Sequence, residues 1–377
     1  MRRLAALVLL AVTVVTSACA SRQWSGEPAL REQAHTEEVR LLERVSVYDD
    51  PALLDYLGRL GQRLTGATLT FHVLRDPSLA LFAMPTGAVF VHTGLLAAAD
   101  SEAQLAAALG HELAHVLARD ALEAGEPARV KPRLEGEALA SRTAAAIFAL
   151  GLPVTGRAAL TGYSRARERA ADATGLASAA RAGWDPTEAP VMFTRLADWS
   201  REAGPREVFF FGDRRRLRER ARSTSALLRA PIAPSPSRIR SSEEFERVLR
   251  PVVRDNAYED IRQGRFTLAR RQLDRVAAAA PEDPRVHLYY GELYRLQAQR
   301  AGAPAERDVE LVQARAAYER ALALDPALAD AHRQLGLLYY AMRDLARARG
   351  ELEQYLALAP SAPDRPRIAE YVQELAR

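Results

Sequence analysis

The run Leu109-Gly110-His111-Glu112-Leu113-Ala114-His115-Val116 holds the residue types most able to do chemistry. Its pattern is H-E-x-x-H inside an apolar stretch of helical character. On a helix, positions four apart lie on one face a turn apart, so His111 and His115 can offer two imidazoles to one metal ion. Glu112 projects to the flank of that pair. It is poorly placed to join the same coordination shell and well placed to take a proton from a water molecule there. Two neutral imidazoles beside a carboxylate are the donors of a zinc hydrolase, with Glu112 as general base. The plainer alternative is two histidines on a solvated helix face. With seven histidines in the chain, chance seldom yields both the spacing and the residue types.

A hydrolytic zinc site needs a third protein ligand and an open corner for water. No histidine falls between His115 and His287, so a carboxylate must serve. Glu123, Glu126, Glu135 and Glu137 lie among Gly125, Pro127, Pro132 and Gly136. That stretch reads as a loop, either a lid over the site or a segment without fixed structure. Glu168 instead sits on a helical run, Tyr163-Ser164-Arg165-Ala166-Arg167-Glu168-Arg169-Ala170-Ala171-Asp172. Asp172, one turn on, can hydrogen-bond a ligating histidine from behind. Spacing alone leaves Glu168 open between a ligand and an exposed carboxylate paired with neighbouring arginines.

Several elements must position these residues. Residues 35–66 read as two helices broken at Asp49-Asp50-Pro51, with Pro51 in a first turn. Leu69 to Leu74 and Gly87 to Thr93 read as strands, joined through a turn at Asp76-Pro77-Ser78. Ser101 and Gln104 fit a capping box ahead of the metal helix, which ends near Asp120. Residues 138–150 and 164–182 read as further helices; Gly183-Trp184-Asp185-Pro186 stops the second.

The whole chain of 377 residues allows two domains. Residues 1–18 have a basic start, an apolar run from Leu4 to Val15, and small residues to Ala18, as in a secretory signal. Without Arg2 and Arg3 the net charge drops from +4 to about +2, which gives no support for a nucleic-acid partner. Cys19, the single cysteine, excludes an internal disulfide and follows Ser17-Ala18 as in a bacterial lipobox, with Thr16 where Leu is usual. Plain cleavage nearby is the alternative. The expected division is signal 1–18, tether 19–34, a domain at 35–228 holding the H-E-x-x-H helix, Pro/Ser-rich linker 229–245 and repeat domain 246–377. The repeats recur at about 34 residues, with small residues such as Ala269, Gly291 and Gly336 and closing prolines Pro281, Pro326 and Pro360. This resembles the tetratricopeptide repeat, with 364–377 as a capping helix.

Residues 35–225 resemble the M48 family of zinc metallopeptidases. The resemblance rests on His111 to His115, on Ser164 to Asp172 against S-R-x-x-E-x-x-A-D, and on Phe82-Ala83-Met84-Pro85-Thr86-Gly87 against A-F-A-x-P-x-G. It implies an α+β zincin-like (gluzincin) domain ahead of an all-α solenoid, one Zn2+, Glu168 as third ligand and Asp172 behind a histidine. Arg220 matches the family's arginine and, with Tyr163, is a candidate stabiliser of the transition state. Arg214-Arg215 replace the family's His-Pro pair, so a histidine switch is not expected there, and Ala80 stands where Asn is common. In such peptidases an edge strand binds the substrate backbone; Gly87 to Thr93 is expected in that role, with His92 an ordinary strand residue.

The implied function is a zinc endopeptidase of the bacterial envelope, periplasmic and lipid-anchored to the outer membrane. It would act on misfolded or misassembled envelope proteins, with the repeats recruiting substrate or assembly proteins. A chaperone or scaffold with a latent protease domain is the alternative, and a non-proteolytic zinc hydrolase a weaker one.

Overall fold

A computed structural model describes residues 27–118, 120, 141–152, 154–155, 164–203, 214–229 and 238–376. The elements of its first part are α1 (Glu27–Leu42), α2 (Pro51–Thr65), β1 (Thr70–Leu74), β2 (Leu81–Ala83), β3 (Ala88–His92), α3 (Thr93–Ala98), α4 (Glu102–Leu117), α5 (Arg142–Leu150), α6 (Arg165–Arg181), α7 (Glu188–Ala203) and α8 (Arg214–Leu227). The second part is α9 (Glu243–Gln263), α10 (Phe266–Ala279), α11 (Pro284–Arg300), α12 (Pro304–Leu324), α13 (Ala329–Ala341), α14 (Leu345–Leu358) and α15 (Arg365–Glu374). α1 begins inside the stretch expected to be a tether.

The sheet is small and its order corrects one expectation. β3 lies in the middle, parallel to β1 and antiparallel to β2. The strand expected at the edge is therefore the central one, buried along its whole length. The edge on the side of α4 is β2, whose three residues are too few to show a two-residue alternation. Helices cover both faces. Val89 and Val91 join a core with residues of α2 and α4, while Ala88 and Phe90 face residues of α1 and α5. Burial on both sides explains why β3 reads as a continuous apolar run.

Caps fix where the helices start. The Asp50 side chain accepts from the backbone N–H groups of Ala52 and Leu53 at the head of α2. Ser101 caps α4 by accepting from Gln104 N–H at 3.2 Å. Gln104 returns the bond to Asp100 N–H at 2.9 Å rather than to Ser101, one residue off a standard capping box.

The helix pairs α9/α10, α11/α12 and α13/α14 stack in order, and α15 closes the stack against Leu352 and Tyr355. Pro281, Pro326 and Pro360 fall between the pairs. The small residues have a steric reason: a Cβ on Gly291 would lie 2.3 Å from the Tyr318 ring. The first pair does not stand apart. Phe245, Leu249, Val252 and Ile261 of α9 share one apolar core with Leu95 and Leu96 of α3. Thr93 Oγ1 donates to Asn256 Oδ1 at 2.8 Å, and Tyr48 OH to Asp255 Oδ2 at 3.1 Å. Of the stretch expected to be a linker, 230–237 lie outside the described residues; Ile239 is bridged to Trp184 and Phe245 is fully buried.

α4 and α6 cross backbone to backbone. A Cβ on Gly175 would lie 2.6 Å from Gly110 C and His111 N, and one on Gly110 3.0 Å from Gly175 O. Only two glycines allow this approach. Gly175→Ala is expected to force the helices apart and to cost about 1–3 kcal/mol. The check is the denaturant midpoint, read together with zinc stoichiometry, because the same displacement moves Glu168 away from His111.

Candidate metal centre

α4 brings His111 and His115 to one face, and α6 brings Glu168 across from them. Ser164 starts α6 by accepting from Arg167 N–H at 3.4 Å. The two imidazole rings meet edge to face, 4.8 Å between centroids at 89°. His111 Nε2 lies 3.5 Å from Glu168 Oε2, and His115 Nε2 4.0 Å from Glu168 Oε1. One donor atom from each of the three residues lies within 4.8 Å of the others. Four ligands at about 2.0–2.1 Å in tetrahedral geometry sit roughly 3.4 Å apart. The cluster is therefore close to the size that a small divalent ion needs, and nitrogen, nitrogen, oxygen is a donor set that such an ion accepts. His92 is not part of it: its Nδ1 pairs with Ser78 Oγ at 2.9 Å, and the ring is fully buried.

Each histidine is backed by a carboxylate that an arginine holds in turn. His111 Nδ1 lies 2.9 Å from Asp172 Oδ1. Asp172 accepts from Arg220 Nη2 at 2.7 Å and from Nε at 3.1 Å. His115 Nδ1 donates to Asp120 Oδ2 at 2.6 Å. The Asp120 carbonyl accepts from Arg167 Nη1 at 3.1 Å, and its Oδ1 lies 3.5 Å from Arg167 Nε. A proton on each Nδ1 leaves both Nε2 lone pairs facing Glu168, which is the tautomer that a metal site requires.

Electrostatics agree with the geometry. Burial, helped by the Arg220 charge, pushes the His111 pKa down to about 4, so the ring is neutral at pH 7. Burial alone would raise Asp172, but the His111 hydrogen bond and Arg220 outweigh it and keep the carboxylate ionised. Glu112 Oε1 lies 3.8 Å from His111 Nε2. Burial, then repulsion from Glu168, raises its pKa to about 8.

Of the residues singled out from sequence, His111, Glu112, His115, Glu168 and Asp172 come together. Arg220 joins them. It is buried, stacks over Phe193 at 4.1 Å and is committed to Asp172, with Nη1 4.0 Å from Glu168 Oε2. Tyr163, Cys19 and the 123–137 loop lie outside the described residues. Asp120 and Arg167 were not foreseen. A carboxylate five places after His115 was the available signal, but it lies past the helix end, where helical spacing stops predicting neighbours.

Residues 62–209 match the family model Peptidase family M48, and 301–373 a tetratricopeptide repeat model. A beta-barrel assembly-enhancing protease of Escherichia coli is 30% identical over 171 residues, 41% of this chain and 34% of that protein. A Vibrio cholerae protein given the same name provisionally is 35% identical over 175 residues, 42% of this chain and 35% of that protein. The mitochondrial metalloendopeptidase OMA1 of Schizosaccharomyces pombe is 35% identical over 125 residues, 33% of this chain and 36% of that one. The chain thus spans about a third of the length of the curated relatives it matches.

Asp120→Ala would remove the acceptor that orients His115. Retention of a divalent metal is expected to weaken by about 10–100-fold, read by competition with a chromogenic chelator. The fold should persist by circular dichroism.

Proposed function

We propose that this chain, whose residues 62–209 form a domain of peptidase family M48 followed by tetratricopeptide repeats, is a zinc-dependent endopeptidase of the bacterial cell envelope. The observation that carries the reading is the convergence of His111, His115 and Glu168 from two helices, with Glu112 at their side. Two imidazoles and one carboxylate are a common catalytic zinc set. Zinc held there supplies Lewis acidity and an acidified water.

The protein's own residues do the rest. Glu112 accepts the water's proton at its carboxylate and hands it to the leaving amine. Asp172 and Asp120 keep both imidazoles turned to the ion, and Arg220 fixes Asp172. Tyr163 and Arg220 are the candidate donors to the tetrahedral oxyanion; Arg220 holds Asp172 through Nε and Nη2 and has Nη1 4.0 Å from Glu168 Oε2. A substrate backbone aligns along β2, the edge strand nearest α4. The repeats recruit misfolded or misassembled envelope proteins, or assembly partners. The domain limits proposed are a peptidase part at 35–228 and a repeat part at 246–377.

Export through residues 1–18 and a lipid anchor on Cys19, placing the protein at the periplasmic face of the outer membrane, complete the reading. Among the described residues, no helix is long and apolar enough to cross a membrane. Cys19→Ala is expected to move the protein from the membrane to the soluble fraction; unchanged fractionation rejects the anchor.

The decisive comparison is wild type against Glu112→Gln. Both should carry one zinc, and casein cleavage should fall by at least about 10²-fold in the variant and vanish with a chelator. Zinc-loaded wild type that leaves casein intact yet suppresses client aggregation would favour the scaffold reading.

A further inference from the structure

A cavity of about 330 Å3 opens between α6 and α8 beside the metal cluster. Its floor is half-buried Glu168 with buried Asp172 and Arg220. Arg165 and Arg169 from α6, and Arg216 and Arg222 from α8, supply its walls, with Glu219 the one further carboxylate. The described lining therefore carries five guanidinium groups against three carboxylates.

Those charges do not cancel locally. Asp172 is already shared between His111 and Arg220. Glu168 would be neutralised by any cation it ligates. Arg165, Arg169 and Arg222 form no ion pair with another described residue. Arg165, Arg169 and Arg222 are exposed at the rim, so their mutual repulsion is softened by solvent and salt, and an anion seated between them relieves what remains. Guanidinium groups favour planar, two-oxygen acceptors. Lysine and arginine side chains are disfavoured by the same charges.

We infer that this cavity is a specificity subsite that takes a carboxylate of the peptide substrate, within about three residues of the scissile bond. The distance limit follows from the cavity's contact with Glu168 and an extended chain's rise of roughly 3.3 Å per residue. The volume accommodates an Asp or Glu side chain with several waters. The carboxylate has two sources, an internal acidic side chain or a free C-terminus. The inference rests on the peptidase reading, but its test does not depend on turnover.

The test uses full-length, zinc-loaded Glu112→Gln protein, so that bound peptide is not consumed. Fluorescence anisotropy compares labelled peptides that carry Glu or Gln at each of the three positions either side of a fixed central bond, each with a free or an amidated C-terminus. Tighter binding of the Glu peptides, by about five- to tenfold, is expected, shrinking as salt rises from about 0.05 to 0.5 M. A preference that follows the internal Glu identifies the side chain; one that follows the free C-terminus identifies the chain end. Adding Arg169→Gln and Arg222→Gln should bring the ratio close to one with the zinc content unchanged. Equal affinities in the unmodified background, or a preference that survives both arginine substitutions, overturns the inference. Wild type that binds with this preference yet cleaves no peptide would reject the peptidase reading and leave the subsite standing.

Discussion

The close crossing of α4 and α6 at Gly110 and Gly175 is the constraint on which the metal centre depends. Two histidines on one helix define a direction, not a site. The site forms only because a second helix comes near enough for Glu168 to meet them, and a helix bearing side chains at the crossing stands farther off. Gly110 directly precedes His111, so the contact lies at the ligand itself. The arrangement belongs to packing, and local helix propensity works against it, since glycine inside a helix costs about 1 kcal/mol relative to alanine.

Around that crossing, charge is arranged in two parallel relays: His111 to Asp172 to Arg220, and His115 to Asp120 to Arg167. Burying a carboxylate without a partner is costly. Here each aspartate has a histidine on one side and an arginine on the other. The relays run through three helices, α4, α6 and α8, so loss of any one would leave a buried charge without its counterpart. Glu112 is the exception. It has burial and a like-charged neighbour pushing its proton affinity up, with no arginine relay of its own among the described residues.

How much of this could be read in advance followed the range over which sequence rules act. His111, Glu112 and His115 were legible because four-residue spacing within one helix fixes which side chains are neighbours. Asp172 was legible relative to Glu168 for the same reason. Whether Glu168 meets the histidines is a tertiary fact, and spacing left it open until a motif was matched. Asp120 was missed because it lies beyond the helix, where the chain turns. The glycine crossing was missed because no period tells which glycine meets which. β3 was recognisable as a strand, but its place between β1 and β2 is set by pairing partners, and alternation carries no strand order. Leu30 of α1 and the buried Phe245 both fall where polar or proline-rich composition suggested loose chain; each packs against residues distant in sequence.

The shared core beneath α3 and α9 has a geometric corollary. The first helix pair of the solenoid is built into the same apolar mass that supports the metal helix, so the two parts cannot swing independently without opening that core. The start of the solenoid consequently stands at a set displacement and heading from His111, His115 and Glu168. On the proposed peptidase reading this makes a caliper: the length of free polypeptide between a segment held by the repeats and the edge strand β2 would decide what is within reach, before any side-chain preference is consulted.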